Sequence, residues 1–183
     1  MYLCIAQKCS TKLPIFQVVR PILDAIGIKE LCRIYAIFHK KDIWFEHIPK
    51  TTTNNNNRYI IPINKEKGVI MIAYADSKYA KQWKENETRP KTFLKELTEN
   101  IHKTFGFIIH DPKYLKAFYW ETGTAFWKPS YDSTVLYKQM LQPIHTMPLY
   151  VCGENFSQTQ GWMEGALESS LDVISCVEKN YEE

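Results

Sequence analysis

The sequence predicts an α+β fold in which a mixed or antiparallel sheet packs against helices. Short runs of β-branched and aromatic residues predict strands, and apolar residues at helical intervals over residues 91–105 predict a helix. With 183 residues, of which 45% are hydrophobic, the chain has the size of one domain and can bury a sizeable core. This composition excludes global disorder.

Helices are predicted near both ends of the chain and in its middle. Over residues 10–28 the helical spacing of apolar residues is interrupted by Pro21, which predicts two short helical pieces. The middle helix has Pro90 at its entry and Gly106 just past its end. The last helix begins near Gly161, with an expected apolar side of Met163, Leu167, Ser170, Ile174 and Val177 and an opposite side of Glu164, Glu168, Asp172 and Ser175.

Strands are predicted by apolar runs that are bounded by polar turns. The clearest covers residues 31–38 and places Arg33, Tyr35 and Ile37 on one face. A polar turn separates residues 58–63 from 68–75, which predicts a hairpin. Residues 114–120 and a short buried run at 149–152 complete the predicted strands. Residues 51–57 contain four consecutive asparagines and are predicted to form a surface loop that buries nothing.

Composition and spacing exclude several classes of function. A net charge of +3 with scattered lysines argues against a nucleic-acid partner. No apolar run is long enough to cross a membrane, and no secretory pattern opens the chain, so we expect a cytoplasmic protein. The cysteines and histidines lack metal-ligand spacing, so no metal site is expected. Neither a nucleophile elbow nor a phosphate loop is present.

One region has the residues of a ligand site. Gly153 and Glu154 follow the predicted short strand, and a helix starts at Gly161. Glycine lets a backbone approach a ligand, a carboxylate accepts hydrogen bonds from sugar hydroxyls, and the free N–H groups of a helix start point at an acceptor. This combination suits the ribityl chain and polar edge of a flavin. The small residues Gly165, Ala166, Ser169 and Ser170 would let this helix pack tightly on a sheet or on a cofactor, and the residues by themselves favour simple helix–strand packing.

Several segments resemble the flavin-containing amine oxidases, the family of monoamine and polyamine oxidases. Leu-Tyr-Val-Cys-Gly-Glu-Asn at residues 149–155 and Gly-Trp-Met-Glu-Gly-Ala-Leu-Glu-Ser-Ser at 161–170 resemble the C-terminal signature of that family. Residues 120–129 resemble the tryptophan-glycine-aromatic-proline stretch that these enzymes place beside the flavin. The resemblance extends to the substrate-domain strands and the Ala-x-x-Trp helix of the family through residues 31–38, Trp44, 58–63 and 68–83.

The resemblance implies an oxidoreductase that uses FAD to oxidise a small amine. It implies that Glu154 contacts the ribityl or pyrophosphate region, and that the backbone N–H groups of Trp162 and Met163 face the pyrimidine edge of the flavin. The full set of implied cofactor-binding residues is Gly153, Glu154, Gly161, Trp162, Met163 and Ala166.

The resemblance also implies an aromatic cage that orients the amine. Trp162 forms one wall, and the opposite wall comes from Phe126 or Trp127. Flat aromatic faces hold a cationic amine without adding a competing base. An ordinary core tryptophan is the alternative interpretation of Trp162. Together with Arg33, Trp127 and Trp162 form the expected catalytic set.

Two departures from the family pattern limit these expectations. The Gly-x-Gly-x-x-Gly unit that binds the dinucleotide is absent from the sequence. Arg33 lies near a strand position where many family members carry a lysine that hydrogen-bonds a water beside the flavin, and an arginine, which stays charged, cannot easily serve the same proton transfer.

The sequence is therefore interpreted as a truncated, C-terminal portion of such an oxidase. A substrate-domain-like region at residues 1–118 would precede a flavin-capping segment at 119–183, without the N-terminal Rossmann unit. Oxidation of an amine would require another chain to supply the missing half. The alternative is a non-catalytic binding module derived from an oxidase, which self-associates or binds a protein partner.

Overall fold

The computed structural model describes residues 14–87 and 89–182. In order, the helices and strands are α1 (Pro14–Ala25), β1 (Ile26–Ile37), β2 (Thr51–Thr52), β3 (Tyr59–Asn64), β4 (Val69–Asp76), α2 (Ser77–Glu87), α3 (Pro90–Phe105), β5 (Tyr114–Trp127), α4 (Ser133–Leu141) and α5 (Met163–Glu182). Short 3₁₀ turns lie at Lys40–Asp42 and Glu154–Phe156. Helices combined with an antiparallel sheet confirm the α+β class.

The sheet has the strand order β2-β3-β4-β1-β5. β3 and β4 pair antiparallel, with Ile61 opposite Met71, which confirms the predicted hairpin. β1 pairs antiparallel with β4 and places Arg33 opposite Tyr74. β1 begins at Ile26, five residues before the predicted start, because it follows α1 without a loop. β5 likewise continues past the predicted end at residue 120.

Two compact units divide the chain. Among the described residues, the central unit lies within 30–123, and the terminal unit combines residues 14–29 with 124–182. The predicted division into 1–118 and 119–183 differs from these units, because it places α1 in the same region as the sheet. That division stays a prediction, because clusters of contacts do not test which segments fold independently.

The core of the central unit lies on one face of the sheet. Alternate residues of β1, among them Cys32 and Ile34, are buried against the two helices that follow the hairpin. Trp83 of α2 and Leu97 of α3 are fully buried there. α3 confirms the predicted middle helix, and Gly106 ends it in the left-handed conformation that glycine adopts at little cost.

The prediction that residues 51–57 bury nothing is wrong. Asn57 is 0% exposed, and its side-chain N–H donates to the carbonyl oxygen of Ile72 at 3.2 Å. Asn100 of α3 donates to the side-chain oxygen of Asn57 at 2.9 Å, and Asn55 donates to the carbonyl oxygen of Asn100 at 3.1 Å. The prediction failed because composition shows only that asparagines are polar. A polar amide can be buried when hydrogen bonds to other protein groups replace those that it makes to water.

The terminal unit is built around α1, the ends of β1 and β5, and α4. α1 is one helix that contains Pro21, whereas two pieces were predicted, and the predicted residues 10–13 lie outside the described part of the chain. Val19 and Leu23 of α1 pack with Ala125 and Met140 in a small core. Burial of this apolar face offsets the backbone hydrogen bond that a proline removes.

Two elements of the terminal unit differ from expectation. Residues 149–152 do not form a strand; instead the N–H of Val151 bonds the carbonyl oxygen of Leu141 at 3.1 Å. α4 was not predicted, although Asp132 caps it by accepting from the N–H groups of Thr134 and Val135. An aspartate followed by a short apolar segment was the available signal.

α5 packs through its small residues rather than through its large ones. Gly165 and Ser169 are buried, whereas Leu167 and Leu171 are 63% and 65% exposed. The apolar side predicted for this helix therefore faces solvent for most of its length, and Asp172, expected on the solvated side, accepts a hydrogen bond from Tyr137 of α4. None of the helices among the described residues is long and apolar enough to span a membrane.

Candidate functional site

The predicted cofactor residues of the terminal unit lie on one closed loop and the helix that follows it. The N–H of Gly153 donates to the hydroxyl oxygen of Ser169 in α5 at 2.9 Å. A carboxylate oxygen of Glu154 accepts from the N–H of Gly161 at 2.5 Å, which joins the two ends of the loop. The structure thus brings Gly153, Glu154 and Gly161 together beside the first turns of α5.

Two glycines give this loop a backbone that other residues rarely adopt. Gly153 has φ 143° and Gly161 has φ 88°. A Cβ at Gly153 would have no neighbour within 4 Å, and one at Gly161 would have only the Thr124 hydroxyl at 3.9 Å. The backbone at both positions is therefore open to another molecule.

Gly165 allows α5 to lie directly on the loop. A Cβ at this position would come within 2.0 Å of the carbonyl oxygen of Thr159 and 2.1 Å of the hydroxyl oxygen of Ser157. Ala166 follows it, half-buried, and its carbonyl oxygen accepts from the Ser169 and Ser170 hydroxyls. Close packing explains these two small residues, as the sequence allowed.

The start of α5 presents free donors and exposed side chains. Trp162 is 62% exposed and Met163 is 64% exposed. Within the described part of the chain, the backbone N–H of Met163 has no acceptor, and that of Trp162 closes only a loose turn over Gln160 and Gly161. Such groups at a helix start attract the acceptor atoms of a ligand. The high exposure excludes the interpretation of Trp162 as a core tryptophan.

Trp127 supports the loop from the end of β5. Its backbone N–H donates to the side-chain oxygen of Gln160 at 2.7 Å, and its indole N–H donates to the carbonyl oxygen of Ser157 at 2.9 Å. The ring is half-buried against the small core of the terminal unit. Two hydrogen bonds therefore fix the position of Trp127 relative to the segment that leads into Trp162.

Phe126 has a different environment from its neighbour. Its ring lies against Gly27, where a Cβ would come within 2.2 Å of the ring. The ammonium group of Lys29 lies 4.9 Å from the ring centroid, in a cation–π contact. Among the described residues no ring contact joins Trp162 to either Phe126 or Trp127.

Arg33 belongs to the central unit and is described with it. Its guanidinium carbon lies 4.9 Å from the centroid of the Tyr74 ring and 5.8 Å from that of Trp120. Burial lowers the pKa of Arg33, but interactions with the Tyr74 and Tyr35 side chains outweigh it and raise the pKa above its usual value. Arg33 therefore stays charged.

Sequence reasoning missed two residues that shape the loop. Ser157 is fully buried, and Gln160 donates to the carbonyl oxygen of Asn155 while accepting from Trp127. Both lie in a polar run without periodicity, so no pattern distinguished them from solvated loop residues. In the described ranges 14–87 and 89–182, no three His, Cys, Asp or Glu side chains cluster as metal ligands would.

Comparison with known proteins relates most of the chain to one family. The chain is 29% identical over 121 residues to an uncharacterized protein of Acanthamoeba polyphaga mimivirus, in an alignment that covers 57% of this chain and 24% of that protein. The chain thus spans about a quarter of the length of this curated relative. The family described as flavin containing amine oxidoreductase matches residues 14–173. Because this match covers most of its length, the chain belongs to the flavin-containing amine oxidoreductase family.

Proposed function

We propose that this chain forms the substrate-binding and flavin-capping portion of an amine oxidoreductase. Its fold would then correspond to the substrate domain and C-terminal segment of that family, as residues 1–118 and 119–183. The dinucleotide-binding unit, whose Gly-x-Gly-x-x-Gly pattern is absent from these 183 residues, would come from another chain. The observation that carries the proposal is the Glu154–Gly161 loop, which leads into a helix start where, among the described residues, the N–H of Met163 has no acceptor and that of Trp162 closes only a loose turn.

The residues of this loop fit a flavin by the chemistry of their donors and acceptors. The N–H groups of Trp162 and Met163 match the acceptor atoms at the polar edge of an isoalloxazine. The second carboxylate oxygen of Glu154 has no partner among the described residues, so it can accept from a ribityl hydroxyl. Gly153 and Gly161 leave room for the backbone to approach the cofactor. When bound, FAD supplies the acceptor for the hydride that leaves the carbon next to the amine nitrogen.

Trp162 and Trp127 are the proposed walls for the amine. Trp162 is exposed, and Trp127 is held on the same loop by Ser157 and Gln160. Phe126 is the weaker candidate, because the Lys29 cation on its ring repels an ammonium group. Arg33 is assigned no proton transfer, since a guanidinium does not release its proton in the physiological pH range.

Titration with FAD tests the flavin site. We expect the purified chain to perturb the visible flavin band, and Glu154→Gln and Trp162→Ala each to weaken binding about tenfold, or roughly 1.4 kcal/mol. Glu178→Gln, at the far end of α5, and Tyr131→Ala, an exposed aromatic outside the loop, are matched controls that should bind as the parent does. A protein that never perturbs the flavin band, or four variants that bind alike, would refute the proposal.

The exposed side of α5 favours a second function, that of an interaction module. We call the set Trp162, Met163, Leu167, Leu171 and Ile174 the α5 apolar face; each member is more than half exposed. Contiguous exposed apolar residues of this kind mark interaction sites. The face would contact the chain that supplies the dinucleotide-binding half, or a second copy.

Sedimentation over a range of protein concentrations tests this second function. We expect association that the double substitution Leu167→Ser and Leu171→Ser abolishes, while Val135→Ser, at an exposed apolar site on α4, has no effect. A monomer at every concentration, whose binding of an apolar dye is unchanged by the double substitution, would exclude the interaction module.

A further inference from the structure

The face of the sheet that lies opposite the core of the central unit carries a cluster of aromatic side chains around one cation. Arg33 and Tyr35 lie on β1, Tyr74 lies opposite Arg33 on β4, and Phe118 and Trp120 lie on β5. We call these five residues the Arg33 face. Since side chains alternate along a strand, they point away from the buried Cys32, Ile34 and Ala36.

Aromatic rings lie beside the Arg33 guanidinium and contact one another. The Phe118 and Trp120 rings are stacked, 6.2 Å apart and inclined by 19°, and Tyr35 meets Phe118 edge-on at 5.9 Å. Phe118 is 44% exposed and Trp120 is 41% exposed. Large aromatic side chains on a solvent-facing side of a sheet leave apolar area that a flat ligand can cover.

Among the described residues, the charge of Arg33 has no anionic partner. None of the ion pairs among the described residues involves Arg33, and its Nε is buried without a hydrogen-bond acceptor. The rings of Tyr74 and Trp120 and the side chains of Tyr74 and Tyr35 surround the cation. A guanidinium that is partly removed from water without a counter-charge attracts an anion strongly.

We propose that the Arg33 face binds an organic carboxylate on a flat apolar body. The terminal nitrogens of Arg33 would donate to the carboxylate, and the rings of Trp120 and Phe118 would cover the body. An ammonium ligand is disfavoured by Arg33, and an inorganic anion leaves the aromatic area uncovered. The site requires neither a flavin nor a second chain, so its test is independent of the test of the proposed function.

Calorimetric titration with three ligands of the same ring tests the site. Benzoate, benzamide and benzylammonium differ in charge while sharing one aromatic body, and inorganic phosphate supplies an anion without a ring. We expect benzoate to bind at least tenfold more tightly than the other three. Equal binding of benzoate and benzamide, a preference for benzylammonium, or binding of phosphate as tight as that of benzoate would each overturn the proposal.

Variants locate the site. Arg33→Met keeps an unbranched apolar stem and removes the charged guanidinium, so we expect loss of benzoate selectivity over benzamide. Arg33→Lys should retain part of it. Arg20→Met is the matched control, because Arg20 is an exposed arginine of the terminal unit whose partner is Asp24. Benzoate binding that survives in Arg33→Met would place the site elsewhere and refute the assignment. If Arg33→Met fails to fold, Arg33→Lys is compared with the parent instead. Equal benzoate selectivity in Arg33→Lys and in the parent would contradict the proposal, because a lysine cannot reproduce the paired donors of a guanidinium.

Discussion

The side-chain amide of Asn100 donates to the side-chain oxygen of Asn57 at 2.9 Å, across 43 residues of sequence. Because Asn57 also donates to the carbonyl oxygen of Ile72, its amide links α3 to β4. Both asparagines are buried, so neither bond can be replaced by water without opening the core of the central unit.

Asn57→Ala should destabilise the fold by about 2 to 4 kcal/mol, because it leaves the Asn100 amide and the Ile72 carbonyl without partners in a buried site. Asn54→Ala is the control from the same run, since Asn54 is exposed and its loss should change the free energy of unfolding by no more than about 0.5 kcal/mol. Urea unfolding measures both. Equal effects of the two substitutions would contradict the buried network.

Gly165→Ala should destabilise the terminal unit although alanine favours helices. Helix propensity alone predicts a gain of about 1 kcal/mol. The new Cβ would lie 2.0 Å from the Thr159 carbonyl oxygen, so the loop or the helix must move, at a cost of about 1 to 3 kcal/mol. Ser175→Ala, at an exposed position of the same helix, is the control and should be neutral or slightly stabilising. Stabilisation by Gly165→Ala would show that α5 does not rest on residues 157–159.

The sequence predicts the fold best where a periodic pattern agrees with local signals. α3 has helical spacing, Pro90 at its start and Gly106 at its end, and the structure follows all three. The buried asparagines and the orientation of α5 could not be predicted in this way. Composition assigns asparagine to the surface. In a helix that has both large and small apolar residues, the sequence does not show which of the two sets packs against the rest of the protein.

The residues of the candidate site also divide into those that the sequence identified and those that it did not. Spacing and the family resemblance identified Glu154, Gly161 and Trp162, which the structure brings onto one loop and helix start. Ser157 and Gln160, which fix Trp127 to that loop, lie in an aperiodic polar run. Their contacts depend on tertiary packing, which local sequence does not encode.

Glu154→Ala should loosen the loop by removing the acceptor of the Gly161 N–H, at a cost of about 1 kcal/mol because the bond is partly exposed. Glu154→Gln keeps an acceptor and should retain most of the stability while losing the charge. Amide hydrogen exchange of Gly161 separates the two, with fast exchange expected in Glu154→Ala only. Slow exchange in Glu154→Ala would mean that the carboxylate does not hold the loop.

The phenol of Tyr137 should make the stability of the terminal unit depend on pH above about 10. Burial of the ring, and then its hydrogen bond to Asp172, raise the pKa of Tyr137 well above its ordinary value. The unfolded chain therefore releases this proton near pH 10, whereas the folded chain keeps it. Stability is complete below that pH and falls by about 1.4 kcal/mol for each pH unit above it.

Tyr137→Phe isolates this contribution from that of the other tyrosines. The variant should be less stable than the parent at neutral pH by about 1 kcal/mol, for the lost hydrogen bond. The difference between the two proteins should shrink as the pH rises from 10, because only the parent loses stability through this group. Tyr131→Phe, at an exposed position, should keep the pH dependence of the parent. Unfolding in urea at several pH values measures the difference, and parallel curves for the parent and Tyr137→Phe would mean that the phenol ionises equally in both states and that the contact between α4 and α5 does not hold it protonated.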